Sequence, residues 1–146
     1  MEGFKLEGKN GHISIEFLEV YGFPNNTSVF GGYDAKGIVE IKSSNYRVCG
    51  ELWFSTGEIY NFYSTLKECN KRLDGKAELI TTETNLKMSV DFDKIGHVVI
   101  SGEYVERYDE NNELTYEIFS DQSYIQDTIK ELNEIVNKYG GLQGKK

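Results

Sequence analysis

Apolar and polar residues alternate along much of the chain, which is the pattern of a strand that buries one face. In residues 12–21, Ile13, Ile15 and Phe17 share one face, while polar residues occupy much of the other. This segment is therefore predicted to be a strand. The same alternation predicts six further strands, at residues 38–42, 46–54, 76–80, 85–92, 97–108 and 113–119.

Glycine, proline and asparagine mark the breaks between these strands. Residues 24–37 begin with the only proline of the chain and are predicted to form a loop, because proline lacks a donor for the strand ladder. Residues 109–112 are predicted to be the turn of a hairpin. The alternation also assigns faces, and Tyr46, Leu52 and Phe54 are expected on the core side of their strand.

At Ser55 the apolar period changes from two to 3.6, which is typical of an amphipathic helix. Ser55 and Glu58 match the spacing of a capping box, so a helix is predicted over residues 56–73. Its apolar stripe consists of Ile59, Phe62, Tyr63, Leu66, Cys69 and Leu73. A second helix is predicted to follow Asp121, its expected N-cap, and to stop at Gly140. The stripe of this helix consists of Ile125, Ile129, Leu132, Ile135, Val136 and Tyr139.

The order of elements, strands, helix, strands and helix, predicts an α+β fold. Strands joined by short turns pair antiparallel, and each amphipathic helix needs an apolar surface to cover. We therefore expect a strongly curved antiparallel β-sheet of about seven to eight strands with both helices packed on it. The length of 146 residues suits one domain, predicted over residues 1–141, and residues 142–146 are expected to be a frayed tail.

Composition narrows the class of protein. Apolar residues make up 38% of the chain, which includes ten Tyr, eight Phe and one Trp, so a disordered chain is excluded. No apolar run approaches the roughly 20 residues that span a bilayer, and the first residues do not resemble a signal peptide. We therefore expect a cytoplasmic protein with no membrane partner. The net charge of −8 argues against direct nucleic-acid binding, which depends on Lys and Arg.

The negative charge is concentrated in one segment. Residues 103–134 contain 10 acidic and 2 basic side chains, whereas residues 1–102 contain 14 acidic and 11 basic ones. Residues 135–146 contain three Lys and no acidic residue. Two interpretations follow: the segment is a solvated face that keeps the protein soluble, or it is a docking surface for a basic partner.

Alternation gives the acidic segment a candidate contact surface. On the predicted hairpin, Glu103 and Arg107 share a face of the first strand, and Glu113 and Glu117 fall on the outward face of the second. If those faces coincide, three glutamates crowd around one arginine, and a basic partner would relieve the repulsion between like charges. Tyrosines near the turn and the helix start suit interface hot spots. The candidate partner-binding residues are Glu103, Arg107, Tyr108, Asp109, Glu110, Glu113, Glu117 and Tyr124.

No motif for catalysis, cofactor binding or metal binding stands out. His12 and His97 each follow a glycine at a predicted strand start, and neither belongs to a nucleophile elbow. Cys49 and Cys69 lack the close spacing of zinc ligands, and Cys69 falls on the apolar stripe of the first helix. Glycine-rich phosphate loops are also absent from the sequence. We therefore expect no enzyme activity, no cofactor and no metal.

Two stretches of the chain resemble the WapI-type immunity proteins of bacteria. The first stretch is FSTGEIYNFY at residues 54–63, followed by Leu66 and by LDGKAEL at residues 73–79. The second stretch is LTYEIFSDQSYI at residues 114–125, followed by Leu132 and Ile135. Within it, DQSY at residues 121–124 is the most distinctive piece. The loop at residues 33–38 keeps an aspartate that the family often has there but lacks the following tryptophan.

The resemblance implies a non-catalytic protein that is made beside a secreted toxin and binds the toxic domain, which is often a nuclease. The acidic segment agrees with this role, because nucleases bind phosphates and tend to be basic. Two alternatives remain open. One is a small enzyme or ligand-binding module in which residues 24–37 close over a pocket near His12 or His97. The other is an adaptor that binds a different basic protein.

Overall fold

The computed structural model describes residues 2–83 and 85–145 and shows an α+β fold, which confirms the predicted class. Within these residues there are eight strands and two helices. In chain order they are β1 (Gly3–Gly8), β2 (Gly11–Val20), β3 (Asp34–Ser43), β4 (Tyr46–Ser55), α1 (Thr56–Arg72), β5 (Gly75–Ile80), β6 (Leu86–Phe92), β7 (His97–Arg107), β8 (Asn112–Asp121) and α2 (Gln122–Tyr139).

In the described part of the chain the strands form two four-stranded antiparallel sheets rather than one. The first sheet has the order β1-β2-β3-β4 and the second has the order β5-β6-β7-β8. Neighbours in sequence are neighbours in space because consecutive strands joined by short connections pair antiparallel. Helix α1 interrupts this run after β4 and carries the chain from the first sheet to the second.

The inner faces of both sheets and one face of each helix share one hydrophobic core. Ile13 and Ile15 of β2 are buried, as their alternation predicts. Phe62 of α1 and Leu132 of α2 are buried as well, and the Phe62 ring centroid lies 6.2 Å from that of Phe4 in β1. Burial of one Leu or Phe side chain contributes roughly 1.5–3 kcal/mol. Burial of apolar side chains in this shared core is therefore the main contribution to the stability of the fold.

Local sequence sets the ends of the helices. The Ser55 hydroxyl accepts a hydrogen bond from the Glu58 amide at 3.1 Å, and the Glu58 carboxylate accepts one from the Ser55 amide at 2.8 Å. This reciprocal pair is the predicted capping box. Helix α1 ends just before Leu73, which adopts the left-handed conformation with φ of 52°. Asp121 caps α2 by accepting a hydrogen bond from the Ser123 amide, as predicted.

Three details differ from the sequence prediction. Strand β1 was not predicted, because Phe4 and Leu6 are the only inward apolar residues in a segment with several charges. The predicted loop at residues 24–37 is too long, since β3 already begins at Asp34. Tyr46 lies at the end of its strand with 69% of its surface exposed, because the core covers the inner face of β4 only toward its other end.

The segment that follows α2 contacts the long loop between β2 and β3. The Leu142 carbonyl accepts a hydrogen bond from the Gly32 amide at 2.9 Å, and the Lys145 amide donates one to the Tyr33 hydroxyl at 2.8 Å. The Tyr33 hydroxyl in turn donates to the Pro24 carbonyl at 2.7 Å. These bonds join residues 142–145, which were expected to fray, to the rim of the first sheet.

Candidate partner-binding surface

The β7–β8 hairpin carries most of the predicted contact residues. Its register pairs Glu103 with Thr115, Val105 with Glu113 and Ser101 with Glu117. Paired residues share a face, so the three glutamates do lie together on the outer face of the second sheet. None of them is directly opposite another, which avoids the strongest repulsion between like charges on a sheet.

A surface groove of about 320 Å³ lies beside this hairpin. We call it the hairpin groove. It is lined by Lys87, Glu103, Val105, Tyr108, Glu110, Asn111, Asn112 and Glu113. Four of the eight predicted residues therefore meet around one concavity. The only cation among its lining residues is Lys87 of β6, whose Nζ lies 3.4 Å from Oε1 of Glu103. Three carboxylates and one ammonium group give the groove a net negative charge.

Arg107 and Asp109 form an ion pair within the turn. The ladder shifts register between Val105 and Arg107, and Arg107 pairs with Asn112 at the end of the hairpin. Its guanidinium then donates two hydrogen bonds to the Asp109 carboxylate, from Nε at 3.0 Å and from Nη2 at 2.7 Å. These bonds lower the pKa of the Asp109 carboxyl. The pair largely neutralises itself, and Lys87 rather than Arg107 is the cation beside the glutamates.

Glu117 and Tyr124 lie outside the hairpin groove. Glu117 is exposed further along the outer face of β8, where its backbone carbonyl accepts hydrogen bonds from Asn10 and Ser43. Tyr124 lines a different groove of about 410 Å³, between β1 and α2. The structure therefore places Tyr124 apart from the hairpin residues with which the sequence grouped it.

A third concave surface contains none of the predicted contact residues. It has a volume of about 510 Å³ and is lined by Tyr21, Phe30, Asp34, Trp53, Phe54, Thr82 and Glu83. We call it the aromatic groove. The rings of Tyr21 and Trp53 stack with their centroids 6.1 Å apart, and Lys36 Nζ lies 5.4 Å above the Trp53 ring. The sequence contains one indication of this groove, which is Trp53. Alternation in β4 buries Leu52 and Phe54, so the Trp53 side chain points outward.

A comparison with protein families now identifies the chain. The model of the immunity protein WapI-like family matches residues 5–140. The chain belongs to the WapI-like immunity protein family. This confirms the resemblance read from the two stretches around α1 and α2. No curated protein sequence matches the chain closely enough to count as a relative.

Membership of the WapI-like family supports an immunity role and implies a toxin protein as the partner. The matched residues run from β1 to the end of α2 and thus include both the hairpin groove and the aromatic groove. Family membership also favours a non-enzymatic role.

The histidines of this WapI-like protein do not converge. His12 lies on the outer face of the first sheet, with Nε2 2.9 Å from Oε1 of Glu40. His97 begins β7 in the second sheet, and its Nδ1 lies 3.4 Å from an Asp93 oxygen. Residues 2–83 and 85–145 contain no group of three His, Cys, Asp or Glu side chains that could hold a metal ion. In the same residues, neither helix is long and apolar enough to cross a bilayer.

Proposed function

We propose that the chain is a non-catalytic immunity protein that binds and neutralises a cognate bacterial toxin domain. The observation that carries this proposal is the family match over residues 5–140. Inhibition of this kind needs a stable complementary surface and no reacting groups. The chain would act in the cytoplasm, where a toxin that attacks nucleic acid meets its substrate.

The proposed contact surface is the hairpin groove with the adjoining outer face of the second sheet. Glu103, Glu113 and Glu117 share this face, and residues 103–134 hold 10 acidic against 2 basic side chains. A concentrated field of one sign attracts a partner of opposite sign and orients the encounter. Tyr108 lines the groove beside these carboxylates and adds an aromatic contact of the type that dominates binding energy at interfaces.

The charge of this surface favours a nuclease as the toxin. A nuclease holds the phosphate backbone with Lys and Arg side chains, so its substrate site is basic. Carboxylates on a rigid sheet can occupy that site in place of phosphates. In the complex they would neutralise the basic site and block access of nucleic acid.

The test is binding to the toxin domain encoded next to this gene, measured by titration calorimetry. Replacement of Glu103, Glu113 and Glu117 by Lys should weaken binding by about 100-fold or more, because attraction becomes repulsion at three points. The matched control replaces Glu16, Glu68 and Asp74 by Lys. It changes the net charge equally but lies away from the hairpin, and it should retain most of the affinity.

Two results would contradict the proposal at different levels. If the unaltered protein does not bind the toxin domain, the immunity function itself is wrong. If the unaltered protein binds and the hairpin variant binds equally tightly, the immunity function stands and the proposed surface is wrong.

A further inference from the structure

The aromatic groove exposes an unusual amount of aromatic surface. Trp53 is 41% exposed, Tyr21 39% and Phe30 54%, and all three line the same concavity. Isolated apolar side chains are common on protein surfaces, but a contiguous aromatic patch with polar groups at its edge is typical of an interaction site. Tyr and Trp are also the residue types most enriched in binding hot spots.

Tyr21 and Trp53 are held in place by contact with each other and with Lys36. The Tyr21 and Trp53 rings are stacked 16° from parallel. Lys36 lies over Trp53 and forms an ion pair of 3.0 Å with Glu51, so its charge is compensated. A wall that is already ordered loses little side-chain entropy when a partner binds.

The charge of the groove indicates what it can hold. Its two charged lining residues, Asp34 and Glu83, are both carboxylates. An arginine side chain matches this combination, because its guanidinium stacks on aromatic rings and its donors pair with carboxylates. An acidic side chain would instead be repelled by the Asp34 carboxylate.

We propose that the aromatic groove is an anchor site for an arginine-bearing loop of the toxin domain. In this arrangement the guanidinium stacks against Tyr21 and Trp53 and meets the carboxylate of Asp34. The inference rests on the proposed immunity function and specifies a second point of contact with the same partner. A broad acidic surface attracts any basic protein, whereas the groove admits only a loop of suitable shape. The groove would therefore distinguish the cognate toxin from other basic proteins.

The position of the groove relative to the hairpin supports one partner for both. The register pairs Leu86 with Tyr104 and Tyr104 with Leu114, so the β5–β6 turn and the β7–β8 turn lie at the same end of the second sheet. Thr82 and Glu83 of the β5–β6 turn line the aromatic groove. At the end of that turn, the Asn85 carbonyl accepts a hydrogen bond from the Val105 amide at 2.8 Å. Each groove therefore includes residues of a turn at this end of the second sheet.

Trp53 provides a direct probe of this site, because it is the only tryptophan in the chain. Acrylamide quenching of its fluorescence should decrease at least about twofold when the toxin domain is added, provided a tryptophan-free or fluorescently silent toxin preparation is used. Calorimetry then measures affinity for four variants, of which two test the groove and two are controls. Tyr21→Ala and Asp34→Asn should each weaken binding by about tenfold.

The control variant is Tyr46→Ala, which removes an exposed aromatic residue from the opposite end of β4 and should bind normally. Circular dichroism of each variant establishes that it is folded. Tyr21→Phe, which keeps the ring stack, should retain most of the affinity.

The outcomes separate this inference from the proposed function. If the toxin domain binds while Trp53 quenching and the affinity of Asp34→Asn stay unchanged, the anchor site is wrong and the immunity function stands. If Trp53 becomes protected as the concentration of the protein alone rises, a second copy occupies the groove and the inference is overturned. If the toxin domain does not bind at all, the proposed function fails and the anchor site fails with it.

Discussion

Glu40 shows how a single side chain on the first sheet couples stability to pH. Arg47 Nη2 donates a hydrogen bond of 2.6 Å to one of its carboxylate oxygens, and His12 Nε2 lies 2.9 Å from the other. The Arg47 bond, followed by the His12 bond, lowers the pKa of the Glu40 carboxyl to about 2. The folded state therefore favours the ionised carboxylate.

This shift predicts a specific loss of stability in acid. A carboxyl whose pKa is lower in the folded state stabilises the protein fully above its unfolded value of 4.5, and that contribution disappears as the pH falls toward about 2. Glu40→Gln should lower the free energy of unfolding at pH 7 by about 1 kcal/mol, a modest value because the pair is partly exposed. Urea unfolding measured from pH 7 to pH 2 should show that the difference between variant and wild type vanishes in acid.

The control for Glu40→Gln is the same substitution at another carboxylate on the same face of the sheet. Glu16→Gln, also on the outer face in β2, serves as the control and should change the free energy of unfolding by less than about 0.5 kcal/mol. A constant difference between Glu40→Gln and wild type across the whole pH range would contradict the assigned ion pair.

At the scale of elements, the close approach of β6 and β7 beneath the hairpin groove depends on Gly102. This glycine has φ of 156°, which other residues rarely adopt. A Cβ at this position would collide with the Lys87 carbonyl oxygen and would lie 2.8 Å from the Tyr116 hydroxyl. The same carbonyl accepts a hydrogen bond from the Tyr116 hydroxyl at 2.9 Å, so the absence of a side chain at Gly102 leaves room for this partly buried bond.

Gly102→Ala should therefore destabilise the protein by about 2 kcal/mol or more, because either the strands separate or the Tyr116 bond is lost. Thermal unfolding followed by circular dichroism measures this change. Ser101→Ala, one residue earlier on the outer face, should alter the melting temperature little. If both alanine variants melt at the same temperature as wild type, the packing of β6 against β7 is looser than the structure indicates.

The elements were predictable to the extent that their signal is local. The alternation of Ile13, Ile15 and Phe17 and the 3.6-residue stripe of α1 reflect burial along one segment, so the sequence indicated them correctly. The start of β3 gave no such signal because its first inward residues, Ala35 and Gly37, are small. The division into two sheets was also hidden, since local periodicity does not specify which strands pair across a helix.

The same distinction applies to the candidate sites. The outer face of the hairpin follows from the alternation of two adjacent strands, and the register bears out the shared face of Glu103 and Glu113. The aromatic groove combines Tyr21, Trp53 and Thr82, which come from three distant segments. Only the packing of the β5–β6 turn beside β4 brings these residues together, and no pattern in the sequence encodes that contact.

At the scale of the whole molecule, the electrostatic field of a protein with a net charge of −8 should affect the rate at which the toxin domain associates. Charges that steer a partner act over about 10 Å at 0.1 M salt and over only about 3 Å at 1 M. The association rate constant should therefore fall by about tenfold between 0.05 M and 0.5 M NaCl, while the dissociation rate constant changes much less. Stopped-flow fluorescence of Trp53 on mixing with the toxin domain measures both constants.

The same experiment can separate the effect of where the charge lies from the effect of the total charge on the association rate constant. The variant with Lys at positions 103, 113 and 117 and the control with Lys at positions 16, 68 and 74 differ from the wild-type net charge by the same amount. If the hairpin surface steers association, the first variant loses most of the salt dependence and the second keeps most of it, because the field at the docking face decides the encounter. Equal salt dependence in the two variants would show that net charge alone attracts the toxin, and would leave the outer face of the hairpin with no role in the approach.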